Sequence, residues 1–201
     1  MWDPNQLQYQ NETFQELDLS DRTVKGYQFV RCRFKGCTFA DALLEGCRFE
    51  ECDFGLSRLS GALLRRCGLI NCQMANSSLF GATLEGCKAT GTDFSGADTA
   101  GVSIKGGSYD YAVLWGMDLR GSDLEGMSFR HADLRQCRVT KANLRDCDLS
   151  CALVQQTDFS HSDLRGASVE GTQLSAAILK KARIDLRQAV ILAELTGAVV
   201  E

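Results

Sequence analysis

Chemistry in this chain of 201 residues would have to come from its ten Cys, its two His or its 26 acidic side chains. So many cysteines suggest either a disulfide framework or a metal cluster, and spacing decides between these and plain packing. Cys32, Cys37, Cys47, Cys52, Cys67, Cys72, Cys87, Cys137 and Cys147 all occupy the same place in a five-residue spacing. Ala, Ser and Thr alternate with them there, and only Cys151 falls elsewhere. A slot that accepts Ala as readily as Cys reads as a small packing position, with no metal and no disulfide, and a reducing compartment follows. The chain has no G-x-S-x-G elbow, P-loop or H-E-x-x-H, so an enzyme is not expected. The composition is 44% apolar and 24% charged, with a net charge of −4. It suits a folded core and argues against a bulk phosphate-binding surface, so no direct nucleic-acid contact is expected. No apolar run is long enough to span a membrane, and Met1 to Asn5 lack the pattern of a secretory leader, so the expected location is cytoplasmic. No cofactor is implied.

The five-residue spacing must position all of these side chains. Every fifth residue from Phe14 to Ile184 is apolar except Thr99, and every Phe but Phe80 lies in this register. Tyr9 extends it one step toward the start. A period of five fits neither a helix nor a flat strand. It requires a chain that turns a corner at each repeat and sends one large and one small side chain inward, as a narrow tube can pack. Glycines recur two places after the large residue, where a tight turn favours positive φ.

Ala132-Asp133-Leu134-Arg135-Gln136, Ala142-Asn143-Leu144-Arg145-Asp146 and Ser162-Asp163-Leu164-Arg165-Gly166 resemble the A-(D/N)-L-x-x unit of pentapeptide-repeat proteins. The resemblance implies an all-β fold, a right-handed quadrilateral β-helix in which four repeats form one square coil of about 20 residues, stacked at the strand spacing. Residues 1–184 would form about nine such coils. Residues 185–201 would form a C-terminal cap.

Residues 20 apart then share a wall. His131 and His161 fall on opposite sides, so they share no acid–base or metal site. One column holds Asp53, Asp93 and Asp133, and a neighbouring wall holds Asp18, Asp98, Asp118 and Asp158. Aspartates here either hydrogen-bond the local backbone or form an acidic stripe for a partner. Arg58, Arg120, Arg138, Lys141, Lys180 and Lys181 make the second wall nearly neutral, and the basic residues gather toward its C-terminal half. Tyr111, Val113 and Trp115 take outward positions, as a contact patch or as part of a locally bent coil.

After Ile184 the register stops. Asp185 is a candidate N-cap with Gln188 three residues on, and Gly197 is a stop signal. The intervening helix is apolar nearly all round, through Leu186, Val190, Ile191 and Leu195, with Val199 following. Such a helix expects burial on more than one side, which points to a homodimer through these residues; a monomer with the cap tucked under its own tail is the alternative. A long coil ended by Ile184-Asp185-Leu186-Arg187-Gln188-Ala189 is similar to MfpA and the Qnr quinolone-resistance proteins. That likeness implies a dimer that mimics DNA and binds DNA gyrase or topoisomerase IV, protecting it from quinolones or inhibiting it. The unbroken register leaves no room for the projecting loops of many Qnr members and sits nearer the MfpA pattern. Asp53, Asp93, Asp133, Asp98, Asp118 and Asp158 would replace phosphates. The other reading is a scaffold that binds an unrelated protein through Tyr111 and Trp115.

Overall fold

The computed structural model describes residue 3 and residues 5–200; Met1, Trp2, Pro4 and Glu201 lie outside it, as do the parts of the leader and boundary expectations that fall on them. The chain divides into two compact units, one ending at Val113 and one beginning at Leu114.

In the first unit the repeats make short strands: β1 (Gln8–Gln10), β2 (Thr13–Gln15), β3 (Thr23–Lys25), β4 (Gln28–Val30), β5 (Arg33–Lys35), β6 (Leu43–Glu45), β7 (Arg48–Glu50), β8 (Leu63–Arg65), β9 (Gly68–Ile70), β10 (Thr83–Lys88) and β11 (Ser103–Ser108). Every pairing is parallel, and each partner lies one coil on: Gln8 opposite Gln28, Arg48 opposite Gly68, Thr83 opposite Ser103. The first wall is centred on Phe14, Phe34 and Phe54. The second is centred on Leu19, Phe39 and Leu59, the third on Val24, Leu44 and Leu64, and the fourth on Tyr9, Phe29 and Phe49. All of these side chains are buried.

Within the tube the rings form ladders. Phe14, Phe34 and Phe54 stack at 5.2 and 4.9 Å, and Tyr9, Phe29 and Phe49 at 5.4 and 5.0 Å. Between walls the rings meet edge to face, as Phe29 does with Phe34 at 5.1 Å. Tyr9 thus belongs to the register. Phe80, out of register, is 59% exposed. Where Ala89 leaves the fourth wall short of volume, Tyr109 on the next coil is fully buried and restores it.

The second unit carries the same period, and among its described residues there is no strand. Its walls are single bridges between turns, such as Asp118 to Arg138, Asn143 to Asp163 and Asp148 to Ser168. Residues Leu174–Ala176 tighten into a 3-10 turn with Leu174 buried. Leu179, Ala182 and Ile184, at the end of the coil, are only half-buried.

The closing element is α1 (Leu186–Leu195), capped by Asp185. Asp185 Oδ1 accepts the Gln188 N–H at 3.0 Å, and the Asp185 N–H donates to Gln188 Oε1 at 3.1 Å, the expected capping box. Gln188 does more than cap. It is the one buried residue of the helix, and its Nε2 donates to the carbonyls of Leu164 and Ala167 at 2.6 and 2.8 Å. A polar side chain therefore pins α1 to the coil by satisfying two buried acceptors. No helix among the described residues is long and apolar enough to cross a membrane.

Candidate partner-binding surfaces

The small inward slot has a purpose beyond volume. Most thiols and hydroxyls in it donate to the carbonyl of a large core residue on the preceding coil, while Cys32 and Ser77 donate to Val30 and Met74 on their own coil. Cys47 Sγ reaches the Val24 carbonyl at 3.3 Å, Cys67 reaches Leu44 at 3.3 Å, Cys87 reaches Leu64 at 3.2 Å and Cys147 reaches Leu124 at 2.8 Å. Thr92 and Thr157 do the same to Leu69 and Leu134 at 2.6 and 2.7 Å, and Ser57 bonds the Phe34 carbonyl. Reading these positions as packing alone missed that Cys, Ser and Thr share a donor; their interchange in one slot was the available signal. Burial pushes the thiols of Cys87, Cys137 and Cys147 up, to about 11 at the first and about 12 at the other two, so these three stay protonated and unreactive. Cys151 alone is exposed, and all ten are free. Among the described residues no cluster of three or more His, Cys, Asp or Glu has metal-binding geometry.

His131 and His161 lie on different corner columns. His131 donates its backbone N–H to Ser150, and His161 donates to Lys180.

The aspartates divide into two kinds. The six of the acidic columns accept, through Oδ1, the N–H two residues on: Asp53 from Gly55 at 2.8 Å, Asp93 from Ser95 at 2.8 Å, Asp98 from Ala100 at 3.1 Å, Asp158 from Ser160 at 2.9 Å, and Asp118 and Asp133 from Arg120 and Arg135 at 3.3 and 3.1 Å. The backbone role anticipated for them is therefore real. Among the described residues Asp53, Asp93, Asp98 and Asp158 make no ion pair. Asp118 and Asp133 do. Arg120 lies 2.7 Å from Asp118, with Arg138 at 3.0 Å, and Arg135 lies 2.6 Å from Asp133. The Arg120 guanidinium holds the Asp118 carboxyl below the usual range. At Asp133 burial alone would raise the carboxyl, but Arg135 outweighs it and the net direction is down. Asp133 is 8% exposed, so this member of its column sits inside the wall with its charge neutralised.

Asp53 and Asp98 are exposed and Asp93 half-buried, all in the first unit; Asp118 and Asp158 are half-buried in the second. Arg33, Asp53, Gln73, Asp93 and Val113 bridge in sequence along the first wall, as the 20-residue stacking requires. Tyr111, at the end of the first unit, and Trp115, at the start of the second, are 59% and 50% exposed. On α1, Leu186 and Leu195 are exposed and Val190 and Ile191 half-buried, with Val199 exposed beyond it. The helix thus closes the coil through Gln188 and leaves much of its apolar surface open.

Two pentapeptide-repeat family models match the chain, one over residues 57–96, 110–146 and 142–180 and another over 29–73. The chain belongs to the pentapeptide-repeat family. Its fold is similar to that of QnrB1, a plasmid-mediated fluoroquinolone resistance protein. A trypsin-treated variant of QnrB1 matches at 23% identity and a TM-score of 0.70, over 97% of this chain and 98% of that one. Full-length QnrB1 matches at 21% identity and a TM-score of 0.64, over 95% and 100%. No curated protein matches the chain significantly.

Proposed function

We propose that this is a non-enzymatic, cytoplasmic DNA mimic that binds DNA gyrase or topoisomerase IV and changes its response to quinolones or related poisons. The observation that carries the reading is the set of carboxylates on the first unit, Asp53, Asp93 and Asp98, each oriented by a backbone N–H and none in an ion pair among the described residues. A carboxylate fixed in this way keeps its charge for a cationic partner, whereas Asp118 and Asp133 spend theirs on arginine. The QnrB1-like fold supports the choice of partner. The active form is a homodimer joined through α1, supported by the exposure of Leu186, Leu195 and Val199 and the half-burial of Val190 and Ile191.

Gyrase supercoiling assays with and without ciprofloxacin test the reading. The wild type alters one or both, Asp53→Lys/Asp93→Lys/Asp98→Lys does not, and Asp133→Asn changes little. A wild-type protein without effect on either enzyme overturns it. The exposed Tyr111 and Trp115 favour a second reading, a scaffold that binds an unrelated protein. In that case Trp115→Ala removes binding and the aspartate variant does not.

A further inference from the structure

The corner between the second and third walls carries opposite charges in the two units. In the first unit it carries Asp21 and Asp41, followed by Gly61, Gly81 and Gly101; in the second, Gly121 precedes Lys141, His161 and Lys181, with Lys180 beside the last. All are exposed. Asp21, Asp41, Lys141, His161 and Lys181 share one left-handed backbone geometry, with φ of 57°, 56°, 59°, 62° and 57°, so within each unit their side chains leave the backbone in the same way. Backbone bonds set the stacking: the Asp21 N–H donates to Ala40 at 2.9 Å and the Lys141 N–H to Ser160 at 3.0 Å. Each ridge therefore repeats once per coil, at about the 4.8 Å of neighbouring strands. Among the described residues none of these side chains is in an ion pair, in contrast to the arginines of the walls, which are mostly paired.

We infer that the Lys141–His161–Lys181 ridge docks on the Asp21–Asp41 ridge of a second copy of this chain. Charge complementarity and the common pitch select that partner. Two carboxylates one coil apart can lie between the ammoniums of Lys141 and Lys181, which stand two coils apart with the imidazole of His161 between them. Each copy carries one ridge of each sign, so either ridge finds its opposite on another copy. It uses no residue of α1 and is independent of the proposed function.

Sedimentation velocity on the full chain at about 10 mM and about 1 M salt, where the screening length falls from about 30 Å to about 3 Å, reads the contact directly. Concentration-dependent association beyond the α1-linked species is expected at low salt and is lost at high salt. Lys141→Glu/Lys181→Glu and Asp21→Lys/Asp41→Lys should each weaken it about tenfold or more, and an equimolar mixture of the two should restore it. Both variants place residue types already tolerated at such corners, as Glu51 and Lys141 show, and circular dichroism confirms that they fold. Ile191→Asp, which attacks the α1 contact, should leave the salt-sensitive association in place. The inference is overturned by a wild type that does not associate at low salt, by a mixture that fails to recover, or by a ridge that binds a labelled oligonucleotide instead.

Discussion

The two units share one period and differ in one residue position. Immediately before the large core residue, the third wall of the first unit reads Thr23, Leu43, Leu63, Thr83 and Ser103, and it builds strands. The same wall in the second unit reads Asp123, Asn143 and Asp163, and it builds turns joined by single bridges. The fourth wall changes likewise, from Gln28 and Arg48 to Asp148. Asn143 and Asp148 accept the N–H of Arg145 and Ser150 at 3.2 and 3.0 Å, a donor that a strand would place in its ladder. A short acceptor side chain thus accompanies the change on these two walls. It is not required for it: the first wall has strands at Thr13 and Arg33 and single bridges from Asp53 onward, at Gln73 and Val113 as well as at Asp93. The cores differ as well: aromatic ladders fill two walls of the first unit from Tyr9 to Phe54, and mainly Leu and Val fill the second unit.

The largest effect should come from the ladder. Phe34→Ala should cost about 4 kcal/mol, against about 3 for Leu144→Ala in the second unit, read by urea unfolding. Equal losses would erase the distinction between the cores. Next comes the backbone. At Gly107, with φ of 102°, an added Cβ would lie 2.0 Å from the Cys87 carbonyl oxygen, so Gly107→Ala should cost about 3 kcal/mol or more. Gly126→Ala meets open space and should cost only about 1, for its positive φ. Asp93→Ala should cost about 1 kcal/mol and speed exchange of the Ser95 amide, while Thr83→Ala on a strand wall stays within about 0.5.

Acid gives a smaller contrast. Arg165 holds Asp163 at about 2, and Asp118, Asp133, Asp148 and Asp185 are also lowered, all in the second unit; Asp18 and Glu45 are the lowered carboxyls of the first. A carboxyl lowered on folding stabilises fully above its unfolded value near 4 and loses that contribution as pH falls toward about 2. Amide exchange between those limits should therefore rise first in the second unit. Least in energy but sharp in readout, iodoacetamide should label Cys151 alone in the native protein and all ten cysteines in denaturant.

Much of this was legible in the residues. The period from Tyr9 onward, the inward cysteines and the Asp185–Gln188 cap follow from spacing and side-chain chemistry. The charge state of the acidic columns was not. Asp53 and Asp133 hold equivalent places, but Arg135 follows one and Gly55 the other, and only the folded side chains show that the first pair closes. Gln188 reads as a capping partner until its amide is seen between two carbonyls of the last coil.

What the sequence by itself determined is the coil and its repeat, because a large side chain every fifth residue can be buried only by a chain that turns at every repeat. The Asx positions also foretell the local hydrogen bond to the N–H two residues on, as at Asp53, Asp93 and Asp148. Only the tertiary structure decided which charges stay open. Ion pairs such as Arg138 with Asp118 and Arg130 with Asp148 join neighbouring coils, and their reach depends on side-chain paths that no spacing rule specifies. The same holds for the apolar surface left on α1, because the side chains that hydrogen-bond the helix to the coil, Gln188 and Asp185, are polar.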